Sequence, residues 1–127
     1  MTNKEIAISF WNALFTEHDV LKASTFIADN YKQHNPKVQD LKEGFIKHFS
    51  ALFDNPKYDG LYTKTKQVIE EDGKVVLHYL ANYRNSGHYG RAHIDIFKIE
   101  DGKIVEHWDV VQNIPAPEDF VHSNTMF

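Results

Sequence analysis

The sequence predicts an α+β domain in which helices come first and a curved antiparallel sheet follows, closing around a pocket. Apolar residues recur at helical spacing as far as Phe53, and from Tyr58 onward the chain changes to stretches rich in β-formers with glycine-containing turns between them. The length, 127 residues, suits one domain spanning 1–127 and is short for two ordinary ones. In that order of elements the helices must bury their apolar stripes against one face of the sheet.

Thr2 or Asn3 can cap a first helix with Glu5 in its first turn, Ile6, Phe10, Ala13 and Leu14 on one face, and an end near Thr16. A second helical stretch is expected over Val20 to Ile27. Asn30 and Tyr31 then lead into the polar segment KQHNP, where Pro36 favours an extended backbone at Asn35 and hence a loop. A third helix fits Leu41 to Phe53, with Phe45, Ile46, Phe49, Leu52 and Phe53 at helical spacing, stopped by Asn55 and Pro56. Four strands are expected over Tyr62–Ile69, Val75–Tyr83, His88–Ile99 and Ile104–Gln112. Two of the intervals between them read EEDGK and IEDGK, the same turn used twice. The tail NIPAPEDF, with two prolines, is expected to pack irregularly over one end.

Composition narrows the function. The chain has no cysteine, which removes disulfides and thiolate chemistry. It carries a formal charge of -4 and no basic run, so neither nucleic acid nor a membrane surface is an expected partner. The start, MTNKEIAISFW, lacks the pattern of a signal peptide, and the expected location is cytoplasmic. Nine Phe, six Tyr and two Trp are enough rings to line a cavity as well as to fill a core.

The densest polar chemistry lies in the last two strands, His93-Ile94-Asp95 and His107-Trp108-Asp109, each a His-x-Asp whose ends share one face of a strand. Whether the two faces coincide depends on the turn. A two-residue loop, Asp101-Gly102, sets Asp95 against Trp108 and separates the acids. A three-residue loop, Glu100-Asp101-Gly102, sets Asp95 against His107 and His93 against Asp109, and all four share a face. Gly102 before Lys103 favours the three-residue form, a type I turn with a left-handed glycine. On a shared, apolar face these groups can exchange protons near neutral pH. Two other readings stay open: a solvated ion-pair cluster on an outward face, and a metal site, for which no specific ligand signature is present.

The remaining histidines are weaker signals. His34, on the proline-stiffened loop, can aim into a cavity mouth; His78 sits among apolar neighbours as a core or interface residue; His18, His48, His88 and His122 read as surface. No serine lies in a nucleophile elbow, and no glycine-rich phosphate loop is present.

The stretch DIFKIEDGKIVEHWDVVQ resembles the C-terminal strand pair of SnoaL-like polyketide cyclases of the nuclear transport factor 2-like superfamily, and YKQHNPKVQDLKEGFIKHF resembles the loop and third helix of the same group. The resemblance implies a cystatin-like cone, with a strongly curved sheet around helices, a pocket at the open end and a homodimer across the sheet. It implies aldol, isomerase or dehydratase chemistry on a small hydrophobic carbonyl compound without a metal or organic cofactor. Asp109 matches the general acid/base aspartate on the last strand. Asp95 stands where a partner histidine is expected, with His93 two residues away. His34, His107, Trp108, Phe97, His78 and Trp11 are the residues expected to contact substrate. The alternative function is a non-catalytic module of the same fold that binds a small ligand or dimerises.

Overall fold

The structure, a computed structural model, describes residues 1–127. Helix α1 (Asn3–Trp11) starts at a capping box: Thr2 Oγ1 accepts the Glu5 N–H at 3.1 Å, and the Glu5 carboxylate accepts the Thr2 N–H at 2.7 Å. The helix runs on through a π-helical turn, Asn12–Thr16, before His18 reverses the chain at φ 54°. Asp19 caps the short α2 (Val20–Ser24).

Here the structure corrects the sequence reading. The second helix ends at Ser24, and Ile27 opens strand β1 (Ile27–Gln33), which the sequence did not reveal as a strand. Asp29 and Asn30 give it poor β-propensity. It forms because its partner holds it: β1 pairs parallel with the last strand at one edge of the sheet. The segment after it is a loop, as Pro36 requires, and α3 (Leu41–Asp54) follows. Gly44 packs so tightly that a Cβ there would lie 2.2 Å from the Gln39 carbonyl oxygen.

Strands β2 (Tyr62–Glu71), β3 (Lys74–Asn82), β4 (Arg91–Glu100) and β5 (Lys103–Asn113) make an antiparallel meander, giving the order β1-β5-β4-β3-β2. The four predicted strands are thus all present, shifted by up to three residues at their ends. Both EDGK turns are two-residue turns: Asp72 and Gly73 have φ 49° and 74°, and Asp101 and Gly102 have φ 49° and 76°, the double positive φ of type I′. The three-residue loop favoured from the sequence is therefore wrong. The faces of the acids are nonetheless rejoined, because β5 carries a bulge next to the turn. Ile99 opposes Ile104, but Lys98 opposes Glu106, so Val105 is the extra residue. From there the register places Phe97 against His107 and Asp95 against Asp109.

The helices cover one face of the sheet, where Phe10, Trp11 and Leu14 of the first helical segment and Phe45 of α3 meet Val75, Leu77, Phe97 and Ile104. Phe97 touches Phe10 edge-on at 5.5 Å between ring centroids. The tail runs irregularly, as expected, and its last ring, Phe127, packs against His78 on the opposite face at 5.1 Å.

Alternation makes neighbours on β4 unequal. Replacing the fully buried Phe97 by Ala is expected to cost about 3–5 kcal/mol in urea unfolding. Lys98→Ala, one residue on and facing outward against Glu100, should change stability by less than about 0.5 kcal/mol.

Candidate functional site

Residues 91, 93, 95 and 97 of β4 and 107 and 109 of β5 point to the helix side of the sheet, where the core is incomplete. A cavity of about 670 Å³ opens there, walled by Trp11, Phe15, Tyr31, Phe45, Phe49 and Tyr79 among others. Asp109 and His93 border it, as do Asp95, His107 and Phe97. Of the nine residues singled out from the sequence, Asp109, Asp95, His93, His107, Phe97 and Trp11 are brought together around this cavity.

His34, Trp108 and His78 are not. The extended chain at residues 33–35 alternates, so Gln33 and Asn35 reach the cavity while His34 turns away. The His34 ring lies parallel on Trp108 at 4.9 Å and bonds the Glu106 carboxylate at 2.6 Å, an interaction that holds Glu106 below the usual carboxylate range. Trp108 and His78 occupy outward positions on β5 and β3. His48 corrects the sequence reading in the other sense: expected at the surface, it lines the cavity from α3, and burial lowers its pKa.

Asp95 is the most deeply held acid, only 4% exposed. Its Oδ1 accepts the Tyr79 hydroxyl at 2.9 Å, and its Oδ2 lies 2.9 Å from His107 Nε2. A buried carboxylate is costly unless so satisfied. The neighbours fix the protons. Gln33 Oε1 accepts the Asn35 backbone N–H at 2.9 Å, which orients the amide, and so it also accepts from His107 Nδ1 at 2.8 Å. With Nδ1–H committed to Gln33, the bond between Nε2 and Asp95 uses a second proton, shared by the pair. Likewise the single Tyr79 proton goes to Asp95, so His93 Nδ1–H donates to the Tyr79 oxygen at 2.9 Å. That leaves His93 Nε2 buried without a partner. Burial holds His93 below the ordinary imidazole pKa, outweighing the opposite pull of Asp95.

Asp109 differs from Asp95. It is half-buried, and both its oxygens take a bond from Asn35 Nδ2, at 3.0 and 2.9 Å. Gln33 Nε2 donates to the Tyr31 oxygen at 3.0 Å, and the Tyr31 proton itself has no acceptor in the chain. Burial first, then Asp95 and Asp109, push the Tyr31 phenol far above its ordinary pKa; Tyr79 is raised by the same causes. Both therefore stay protonated donors. Asp95, His107 and Asp109 present ligand atoms within 4.8 Å of one another, a spacing a metal ion could use. His107 Nε2 and Asp95 Oδ2 are already bonded to each other, however, and an ion would have to break that bond.

Sequence reasoning missed Tyr31, Gln33, Asn35 and Tyr79. The first three lie on the unrecognised β1 and its exit. Their signal was the i, i+2, i+4 spacing of 31, 33 and 35, which is visible once the segment is read as extended.

This is the outline of an α+β cone with a proton-rich polar cluster in the wall of an aromatic cavity. The chain belongs to the SnoaL-like domain family, whose model matches residues 8–107. No curated protein matches the chain. Among solved structures, TsrD from Streptomyces laurentii is 22% identical with a TM-score of 0.72, over 86% of this chain and 87% of that one. A protein proposed to be a polyketide cyclase, from Acidithiobacillus ferrooxidans, is 11% identical with a TM-score of 0.71, over 87% and 88%. An uncharacterised cystatin-fold protein from Novosphingobium aromaticivorans is 18% identical with a TM-score of 0.71, over 87% and 98%. At these identities the likeness is one of fold, and it agrees with the cystatin-like cone expected from the sequence.

The depressed His93 gives a signed pH effect. Below about pH 6.5 the unfolded chain binds a proton that folded His93 resists, so stability falls as pH drops through that value. His93→Asn removes this contribution. Its stability, measured by urea unfolding at pH 7.5 and about pH 5.5, should fall less on acidification than that of the wild type. A residual slope from His48 should remain.

Proposed function

We propose that the chain is an acid/base enzyme acting on a small hydrophobic carbonyl compound, with Asp109 as the group that exchanges protons with substrate. The observation that carries this is the company Asp109 keeps in the aromatic cavity. Its carboxylate shares the wall with a phenol, Tyr31, whose O–H has no acceptor of its own. A ketone placed between them would lose a proton from its α-carbon to Asp109 while Tyr31 donates to the oxygen on which charge develops. Asn35 holds Asp109 in position, and the shared proton of Asp95 and His107 can be delivered to the product. Return of the proton to a different atom gives isomerisation; attack of the enol on a second carbonyl gives aldol closure; loss of a hydroxyl gives dehydration. Each balances with proton transfers among these side chains, so the reading calls for no cofactor. Family membership supports it, as does the fold shared with a protein proposed to be a polyketide cyclase.

The test is exchange of α-hydrogens for deuterium, followed by NMR on a panel of aryl ketones, with turnover assays for any compound that responds. Asp109→Asn should lower the rate by about 10²-fold or more, and Tyr31→Phe by a similar factor, with circular dichroism unchanged. Full activity in Asp109→Asn would remove it from the mechanism. Ligand binding without exchange in the wild type would favour the binding-module reading.

The outer face of the sheet supports a second proposal, a homodimer through the sheet. Ile69, Val76, Ile96 and Trp108 stand in register across four strands, and the adjacent pair Ile94 and Val110 is 37% and 72% exposed. Val110→Glu is expected to convert a dimer to a monomer in size-exclusion chromatography with light scattering. An unchanged mass would exclude this face.

A further inference from the structure

A smaller cavity of about 330 Å³ adjoins the first and shares Tyr58, Ala81, Arg91 and Asn113 with it. Its charge is one-sided. Lys57, Arg91 and His88 line it, and no Asp or Glu does, in a chain with 18 acidic residues. The main cavity holds both carboxylates. Arg91 is half-buried yet makes no ion pair within the chain. Its neighbour across the ladder is Asn113, a second planar polar group at the same junction. A half-buried guanidinium left without an anion is an open half of a bidentate pair.

We propose that this smaller cavity is a carboxylate subsite, with Arg91 and Asn113 gripping the carboxylate, Lys57 adding charge and Tyr58 and Tyr83 as apolar walls. The substrate is then a hydrophobic carbonyl compound that also carries a carboxylate at its far end. Arg91 and Asp95 are four residues apart on one strand, about 13 Å of backbone, which fits a bicyclic aromatic frame between the two groups once the side chains reach inward. The inference rests on the reading of the main cavity as a small-molecule site, and it specifies the class of molecule.

The probe pair is 6-acetyl-2-naphthoate and its methyl ester, titrated by calorimetry, with the acid expected to bind about tenfold tighter at low salt. That margin should narrow as ionic strength rises. Arg91→Gln should keep the ester's affinity and bring the acid down to it; Lys57→Ala, at an exposed position, should narrow the margin in part. Asp109→Asn should leave the margin intact, which separates this inference from the assignment of the proton acceptor. An acid that binds no tighter than its ester to the wild type overturns the subsite. So does a full margin persisting in Arg91→Gln. Binding of neither probe overturns the small-molecule reading and the subsite with it.

Discussion

One inserted residue in β5 decides the character of this protein. Without the bulge at Val105, the type I′ turn at Asp101-Gly102 would set Asp95 against Trp108, and Asp109 would lie on the outward face. The bulge shifts the alternation by one, so Ile104 and His107 both point inward although they are three positions apart. What β5 contributes to the cavity depends on that shift: His107 against Phe97, Asp109 against Asp95, and the contacts that β5 then offers to β1. Bulges also bend the strand that carries them, which suits a sheet that must curve around helices.

The second dependence is a connected chain of hydrogen bonds whose donors converge on two acceptors, Gln33 Oε1 and the Asp95 carboxylate. It runs from the Asn35 backbone N–H through Gln33 to His107, Asp95, Tyr79 and His93. A network of this kind is stable only if every member finds its partner, because a buried acid or imidazole left unpaired costs more than the bond it would otherwise make. Here all are matched except His93 Nε2, which ends the chain at the cavity wall. Asp109 stands outside the chain, held by Asn35 alone. The site thus divides into a part whose hydrogen bonds fix its protons and a carboxylate, Asp109, that lines the cavity with Asn35 as its one partner.

Charge is divided as well. Both carboxylates line the larger cavity and none lines the smaller one, while the outer sheet face carries an apolar row, Ile69, Val76, Ile96 and Trp108, across four strands. One sheet serves two surfaces because alternate residues of each strand are independent in what they face. His34 and Asn35 illustrate this on adjacent positions: one stacks on Trp108 outside, the other holds Asp109 inside.

The helical stripes, the glycine turns and the β-rich runs were legible because each is written locally, at spacings of a few residues. So was the importance of the two His-x-Asp segments, and Asp95 and Asp109 do meet. The sequence read the turn as three residues when it has two, and still placed the acids together, because a bulge and a longer loop have the same effect on parity; local sequence cannot tell which is used. β1 was hidden because Asp29 and Asn30 disfavour a strand, and only pairing with β5, some 77 residues away at Ile27 and Ile104, makes it one. With it were hidden Tyr31, Gln33 and Asn35, and the fact that His34 faces outward. By itself the sequence determined the fold class and the family, and it singled out the two acids that meet at the cavity. The tertiary structure alone decided which polar side chains share the cavity, because that depends on register between segments far apart in the chain, and register is set by the whole sheet.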